Sequence, residues 1–187
     1  VEILGRVNDK KSEIRKLIQK GLKKDILILS GGVSMGEYDL VGEVLLDLGV
    51  KIFFEKVALR PGKPTVFGMK GDKLIFALPG NPVSTFVTFE LFVKPCIKKM
   101  MGYTSYEHPI IHAELEKAIK IKKKRREYRP ALLKQEGSGW KVSLIDWHGS
   151  GDLFSLTKAN GLLIISESVD KLNAGDMVEV MLTDSLL

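Results

Sequence analysis

The sequence predicts an α/β domain built on an open, mostly parallel sheet flanked by helices, followed by a small all-β, barrel-like domain. Two patterns carry this prediction. Residues 1–104 alternate short apolar runs with amphipathic stretches, which is typical of βαβ units. Residues 105–187 contain short apolar runs separated by Gly, Ser, Asn and Asp, which is typical of a small barrel or sandwich. We therefore place the domain boundary near residue 104.

In the first domain, helices and strands are predicted to alternate. Residues 9–22 place Ile14 and Ile18 at helical spacing, and residues 25–29 form a short apolar run typical of a strand buried on both faces. Pro95 is expected to kink or break the last helix. The predicted strands are 1–7, 25–29 and 50–59, the predicted helices are 9–22, 39–48 and 83–101, and 65–69 with 74–78 form a predicted hairpin.

In the second domain, the basic run Lys120–Arg126, with Tyr128 nearby, is the candidate for nucleic-acid binding. A solvated strand or hairpin end explains this run equally well, so nucleic-acid binding is not the expected function. The predicted strands are 108–119, 127–135, 140–146, 161–166 and 177–183. Structural or surface roles are expected for His108, His112 and His148, because they lack metal-ligand spacing with the cysteine. Trp140 and Trp147 are expected in the core or at the rim of the barrel rather than as a stacking platform.

Composition excludes several classes of protein. With 44% hydrophobic and 28% charged residues, the chain has a globular rather than a disordered composition. It has no apolar run of the roughly 18 to 20 residues that a membrane-spanning helix needs, and residues 1–24 lack the apolar core of a signal peptide. The single cysteine, Cys96, excludes an intrachain disulfide and favours a cytoplasmic location. We expect Cys96 on the apolar face of a helix.

The net charge of +6 is unevenly distributed. Residues 1–104 contain 17 lysines and arginines against 11 aspartates and glutamates, whereas residues 105–187 contain 12 of each kind. The whole basic excess therefore lies in the first domain, where three loops are candidates for anion binding. Ligands of open α/β sheets bind beyond the carboxyl ends of the strands, so we expect these loops to meet at one crevice.

The first candidate loop is Ser30-Gly-Gly-Val-Ser-Met-Gly36, followed by Glu37-Tyr-Asp39. Its glycines allow positive φ and a close backbone approach to a ligand, and the N–H groups of the helix start that follows can hold an anion such as phosphate. Ser30 and Ser34 add hydroxyl donors. Asp39 fits two roles, since it can cap the helix or, beside a phosphate, recruit Mg²⁺.

The second loop, Lys56-Val-Ala-Leu-Arg60-Pro-Gly-Lys63-Pro64, presents three cations on a turn that its prolines make rigid. Arg60 can bind an oxyanion bidentately, and the two lysines act as point charges. The alternative is three surface cations on a polar turn. The third loop, Leu78-Pro-Gly-Asn-Pro82-Val-Ser84, lies between an apolar strand and a helix. Its Asn81 and Ser84 can donate to a ligand or cap the helix, so by itself this loop fits a structural role as well as a functional one.

Together these strings resemble the molybdopterin molybdenumtransferase family, namely the MoeA proteins and the gephyrin E domain. The matching motifs occupy residues 30–39, 60–64 and 78–84, and residues 159–163 and 174–176 resemble the C-terminal barrel of the family. The resemblance covers essentially the whole chain. It implies the molybdopterin-binding fold for the first domain.

The resemblance implies a Mg²⁺-dependent reaction that inserts molybdate at the dithiolene of adenylylated molybdopterin and releases AMP. It also implies a homodimer and a molybdopterin adenylyltransferase as partner. In this interpretation Asp9 and Asp39 are metal ligands, and the catalytic residues are Asp39, Lys56 and Arg60. The substrate-binding residues are Ser30, Gly31, Gly32, Val33, Ser34, Gly36, Lys63, Pro79, Gly80, Asn81, Pro82 and Ser84.

The sequence departs from the family pattern in three places. Family members carry two further N-terminal domains and a Thr-Gly-Asp-Glu loop, which this sequence does not contain, so we expect a fragment that is inactive by itself. Arg60 stands where lysine is commoner, and Asp9 stands alone where a pair of aspartates is common.

The sequence is also compatible with two other functions. A stand-alone molybdopterin adenylyltransferase shares the fold and substrate of the first domain, although the β-rich second domain and residues 33–39 count against it. The other alternative is an enzyme-derived binding or scaffold module, as in gephyrin, where an enzyme-like domain binds a receptor peptide. The sequence does not distinguish molybdate from tungstate as the inserted oxyanion.

Overall fold

A computed structural model of the chain describes residues 1–32, 40–121, 125–145 and 156–183. It forms two compact units. The first consists of residues 1–57 and 62–88, and the second of residues 58–61 and 89–187. The units divide after Thr88, and the domain boundary near residue 104 stays a prediction.

The first unit is a four-stranded sheet with helices. In chain order, the elements up to Thr88 are α1 (Lys11–Gly21), β1 (Ile26–Ser30), α2 (Leu40–Asp47), β2 (Lys51–Phe54), β3 (Leu59–Arg60), β4 (Val66–Lys70), β5 (Lys73–Leu78) and α3 (Pro82–Thr88). Of these, β3 belongs to the second unit. The core of the first unit is formed by the apolar faces of α1, α2 and the sheet, and includes Ile18, Val44, Leu45 and Ile75. Ile14 and Ile18, which the sequence places at helical spacing, are both buried in this core.

The strand order of this sheet is β1-β5-β4-β2. β1 pairs with β5 in parallel, whereas β5 with β4 and β4 with β2 are antiparallel. The predicted hairpin is confirmed, but the prediction of a mostly parallel sheet is wrong, because the sheet is mixed. The physical reason is the short turn at Gly71, whose φ of +58° joins β4 directly to β5. Strands joined by so short a connection must run antiparallel.

Two strand predictions of the first domain are also wrong. Residues 1–7 form no strand, and Val1 and Ile3 are exposed. A strand requires a hydrogen-bonded neighbour, and none of the described strands pairs with these residues. The predicted strand 50–59 is divided into β2 and β3, because the two segments pair in different sheets: β2 pairs with β4, and β3 pairs with a strand of the second unit.

The predicted helix 83–101 also consists of separate segments. After α3 comes a π-helical segment, Phe89–Val93, and then α4 (Lys94–Met100). Pro95 lies in the first turn of α4, where a missing N–H leaves no hydrogen bond unmade. Cys96 is half-buried in α4, and this burial raises the pKa of its thiol. No helix in the described part of the chain is long and apolar enough to cross a membrane.

The second unit contains a five-stranded barrel. The strands of this unit are β6 (Ile110–Leu115), β7 (Ile119–Lys120), β8 (Arg126–Glu136), β9 (Gly139–Leu144), β10 (Gly161–Ile165), β11 (Lys171–Leu172) and β12 (Met177–Leu182). β3 is added beside β8, and β7 pairs with β11 in a separate two-stranded sheet. The order β10-β12-β6-β9-β8 closes because β8 also pairs with β10. The barrel-like second domain is therefore confirmed. Gly161 lets the strands approach closely, since a Cβ there would lie 2.7 Å from Leu133 Cδ1.

The histidines and tryptophans that were expected to have structural or surface roles lie in the second unit. The two ring nitrogens of His108 lie 3.0 Å from the carbonyl oxygen of Leu182 and 2.9 Å from that of Glu90. His112 is exposed on β6, and Trp140 is partly buried against the barrel core. Trp147 and His148 lie outside the described residues, as does part of the basic run, at residues 122–124.

Candidate functional site

The parallel pairing of β1 and β5 brings the first and third candidate loops to the same edge of the sheet. The register pairs Ser30 with Leu78, so the two strands end side by side. The chain then continues into each loop from that point, and the N–H of Gly31 donates to the carbonyl of Leu78 at 3.1 Å. The carboxyl ends of neighbouring parallel strands are where an open sheet binds its ligands.

Glycine is required at this edge because the two loops lie in close contact. A Cβ on Gly80 would lie 3.3 Å from the Cα of Gly31, which is tighter than side-chain carbons normally approach. Gly31 has a φ of +89° and Gly32 has a φ of +73°. A Cβ on Gly32 would also collide with the side chain of Val41. The exposed surface at Gly32 and Gly80 is therefore backbone, and a ligand can approach its polar groups closely.

The carbonyl oxygen of Pro79 connects the two loops. It accepts hydrogen bonds from the hydroxyl of Ser30 (3.4 Å) and from the hydroxyl of Thr85. Thr85 also donates to the carbonyl of Asn81 at 3.0 Å. Thr85 was not singled out in the sequence. Its signal was weak: a hydroxyl in the first turn of the helix, four residues after Asn81, can reach back to the loop.

Asn81 caps α3. Its side-chain oxygen accepts from the backbone N–H groups of Val83 (3.1 Å) and Ser84 (3.2 Å), and Pro82 occupies the first helical position. The cap uses the side-chain oxygen, so the side-chain NH₂ group is the part of Asn81 that can donate to a ligand. Ser84 is 8% exposed. Its role as a ligand donor stays a prediction.

Hydrogen bonds fix the backbone of the second candidate loop at its C-terminal end. The carbonyl of Lys63 accepts from the N–H groups of Val57 (2.9 Å) and Thr65 (3.0 Å), and the hydroxyl of Thr65 donates to the carbonyl of Gly62 (2.7 Å). Gly62 has a φ of +109° and lies against the methyl group of Thr88 in α3. The turn that carries Lys63 therefore contacts the same helix that begins at Asn81.

The cations of the second loop have different surroundings. Lys56 is exposed and Lys63 is half-buried, both in the first unit. Arg60 lies in the second unit, where its Nη1 donates to Oε1 of Glu127 at 3.1 Å. Glu127 is 2% exposed, and its Oε2 also accepts from Nε of Arg129 at 2.8 Å. Neither Glu127 nor Arg129 was predicted from the sequence. The one signal was a carboxylate between two arginines at the start of a predicted strand.

One of the two predicted Mg²⁺ ligands lies within the described residues. Asp9 is exposed, just ahead of α1. Within the described ranges, no group of three or more histidine, cysteine, aspartate or glutamate side chains could hold a metal ion. Asp39, the other predicted ligand, lies outside the described residues together with Val33, Ser34 and Gly36.

The described geometry suits an anion. The exposed backbone of Gly32 and Gly80 lies at one edge of the sheet, and the turn of Gly62 contacts α3 at Thr88. Backbone N–H groups and fixed cations are the usual partners of phosphate and of other oxyanions.

Family models match two consecutive parts of the chain. Residues 1–99 match the family described as "Probable molybdopterin binding domain". Residues 112–183 match the family described as "MoeA C-terminal region (domain IV)". The two matches occur in the order of the sheet and the barrel, and the first covers more than half of the chain.

Individual relatives agree with these matches. A molybdopterin molybdenumtransferase of Staphylococcus epidermidis is 31% identical over 171 residues, which is 91% of this chain and 41% of that protein. A gephyrin of Dictyostelium discoideum is 33% identical over 208 aligned residues, covering 97% of this chain and 29% of that protein. The chain thus spans well under half of the length of these relatives.

A solved structure shows the same fold. The molybdopterin biosynthesis MoeA protein from Pyrococcus horikosii matches with a TM-score of 0.77 and 30% identity, over 96% of this chain and 42% of that protein. A molybdenum cofactor biosynthesis protein from Pyrococcus furiosus matches with a TM-score of 0.71 and 27% identity, over 95% of this chain and 56% of that one. The chain therefore belongs to the family of the MoeA proteins and the gephyrin E domain, and it matches these proteins over part of their length.

Proposed function

We propose that this chain supplies the molybdopterin-binding and oxyanion-binding part of an enzyme of molybdenum cofactor biosynthesis. The reaction is insertion of molybdate into adenylylated molybdopterin with release of AMP. The observation that supports the proposal is the pair of glycine loops at the carboxyl ends of β1 and β5, which lie so close together that a Cβ added to Gly80 would be 3.3 Å from the Cα of Gly31. These loops lie within the part of the chain that matches the molybdopterin-binding family.

Each loop has a role in this proposal. The backbone at residues 30–32 and 79–81 binds the phosphate of the pterin substrate, because the N–H groups of glycine loops stabilise phosphate oxygens. Lys56, Lys63 and Arg60 bind molybdate or the phosphoanhydride, and their positive charge stabilises the AMP that leaves. The further proposed binding residues are Val33, Ser34, Gly36, Pro82 and Ser84, and Asp39 is a proposed catalytic residue.

The proposal is tested by molybdate-dependent release of AMP. Because the chain spans 41% of the Staphylococcus epidermidis relative, the assay uses a chimera in which this chain replaces the matching segment of that protein. We expect AMP to be released from adenylylated molybdopterin only when molybdate is added. Release of AMP at the same rate without molybdate would contradict the proposal.

The same chimera distinguishes molybdate insertion from the alternative activity, that of a molybdopterin adenylyltransferase. An adenylyltransferase consumes ATP, whereas molybdate insertion starts from the adenylylated pterin, so labelled ATP distinguishes the two. The match of residues 112–183 to the MoeA C-terminal region favours the insertion reaction. Incorporation of label from ATP into molybdopterin by the chimera would favour the adenylyltransferase instead.

Further proposals rest on the family resemblance alone. We propose Mg²⁺ dependence with Asp9 and Asp39 as ligands, a cytoplasmic homodimer, and a molybdopterin adenylyltransferase as partner. Asp39→Asn in the chimera should weaken the Mg²⁺ dependence and leave thermal stability unchanged. If this variant only lowers the melting temperature, Asp39 is a helix cap. Sedimentation equilibrium tests the dimer, and limited proteolysis near residue 104 tests the proposed domains 1–104 and 105–187.

A further inference from the structure

Arg60 is held by a strand of the second unit. β3 and β8 are parallel neighbours, and their register places Arg60 directly opposite Glu127. Nη1 of Arg60 donates to Oε1 of Glu127 at 3.1 Å. Beside this contact, Nη1 of Arg125 donates to the carbonyl of Leu59 at 3.0 Å. Side chains therefore hold both residues of β3 against β8, in addition to the strand pairing.

Glu127 is a buried carboxylate with both oxygens engaged. It is 2% exposed, and a buried charge is costly unless it is paired and hydrogen-bonded. Arg129 provides that pairing, since its Nε lies 2.8 Å and its Nη2 2.6 Å from Oε2. Arg129 thus supplies the countercharge and occupies Oε2, which leaves Oε1 to Arg60.

This arrangement anchors Arg60 without neutralising it. Two guanidinium groups share one carboxylate, so the cluster keeps a net positive charge. The Arg60 side chain is 47% exposed, and the bond to Glu127 uses one of the five N–H donors of its guanidinium. The guanidinium can therefore donate to Glu127 through Nη1 and bind an anion with its other N–H groups.

We propose that Glu127 is a positioning residue that orients the guanidinium of Arg60 for the oxyanion, with Arg129 as its counterion. The inference rests on the proposed function, in which Arg60 binds molybdate or phosphate. An exposed arginine loses rotamer freedom when it binds an anion, and a side chain that is already anchored loses less of it. Arginine also suits this role better than lysine, because an ammonium group lacks a second, geometrically fixed donor pair.

The test is a double-mutant cycle on molybdate affinity in the chimera. Glu127→Gln keeps the shape of the side chain and removes its charge. We expect it to raise the KM for molybdate about fivefold with little change in kcat, because it disorders a group that binds the anion in the ground state. In an Arg60→Ala background the same change should have less than about a twofold effect, since the guanidinium that Glu127 orients is gone.

A structural role for Glu127 gives a different result. If Glu127 only stabilised β8, its replacement would lower the fraction of folded enzyme, so kcat would fall while KM stayed the same. Equal effects of Glu127→Gln in the two Arg60 backgrounds would also overturn the proposal. Should Glu127→Gln fail to fold, Glu127→Asp keeps the buried charge beside Arg129 and shortens its reach towards Arg60. It should raise KM in the same way.

Glu136→Gln is the matched control. It removes the same charge from the same strand, but Glu136 is exposed and pairs with Lys141. We expect its KM for molybdate to equal that of the unmodified chimera. An equal rise in both glutamine variants would show a general effect of charge and would overturn the specific role of Glu127.

Failure of the proposed function is distinguishable from failure of this inference. If Arg60→Ala raises the KM for molybdate and Glu127→Gln does not, the inference alone is wrong. If neither variant changes it, Arg60 does not bind the oxyanion, and the inference falls with that assignment. If the chimera releases no AMP, the double-mutant cycle is measured by calorimetry, as the dissociation constant of molybdate for the 187-residue chain and its variants. The same fold-changes are expected for this dissociation constant as for KM.

Discussion

Gly62→Ala tests whether the turn that carries Lys63 is held against α3. Gly62 has a φ of +109°, and a Cβ there would come under 3.0 Å from the methyl carbon of Thr88. The backbone conformation costs a non-glycine residue about 1 to 3 kcal/mol. Overpacking against the methyl group adds about 1 to 3 kcal/mol. We therefore expect Gly62→Ala to lower the free energy of unfolding by roughly 2 to 6 kcal/mol.

Thr88→Ser separates the two costs. It removes the methyl group and keeps the hydroxyl, which donates to the carbonyl of Ser84 at 2.8 Å. In the Thr88→Ser background, Gly62→Ala should lose only the backbone cost, about 1 to 3 kcal/mol. The coupling between the two positions is thus predicted to be about 1 to 3 kcal/mol, which is within the range that contacting residues show.

The assay is urea unfolding of the 187-residue chain, followed by circular dichroism for the four members of the cycle. Gly49→Ala serves as the control, because Gly49 also has a positive φ, +76°, but a Cβ there would meet nothing within 4 Å. It should cost only the backbone term. A coupling of zero between positions 62 and 88 would refute the contact between the turn and α3.

Three further predictions concern the loops and the barrel. Gly161→Ala should lower the free energy of unfolding by about 1 to 3 kcal/mol in urea unfolding, because its Cβ would lie 2.7 Å from Leu133 Cδ1; an unchanged midpoint would contradict the barrel packing. Asn81→Ala should cost about 1 kcal/mol through loss of the helix cap, and Asn81→Asp should cost less; equal losses would argue against capping. Gly80→Ala should weaken binding of adenylylated molybdopterin in calorimetry, because its Cβ would lie 3.3 Å from Gly31 and separate the loops; unchanged affinity would remove the contact from the site.

Local patterns predicted much of the fold and of the site. The apolar run at 25–29 and the hairpin around Gly71 follow from strand periodicity and turn chemistry, and the structure contains both. Glycine and proline marked the loops after β1 and β5. The structure shows why glycine is needed there, since Gly31 and Gly80 lie against each other.

Features that depend on distant partners were not predictable. An apolar run such as residues 1–7 becomes a strand only if another strand pairs with it, which the sequence does not reveal. The direction of β2 depends on its pairing with β4 rather than on its own residues. The hydrogen bond between Arg60 and Glu127 joins residues 67 positions apart. Short-range periodicity carries no information about such a contact.

The central claim is that the glycine loops beside β1 and β5 bind the pterin substrate. The most direct test is equilibrium binding of adenylylated molybdopterin to the 187-residue chain, compared with Gly80→Ala and with the hairpin variant Gly71→Ala. A Cβ at Gly71 would meet nothing within 4 Å, so this variant leaves the loops unchanged. We predict that the unmodified chain and Gly71→Ala bind with equal affinity and that Gly80→Ala binds at least about tenfold more weakly. Equal affinity of all three proteins would contradict the claim.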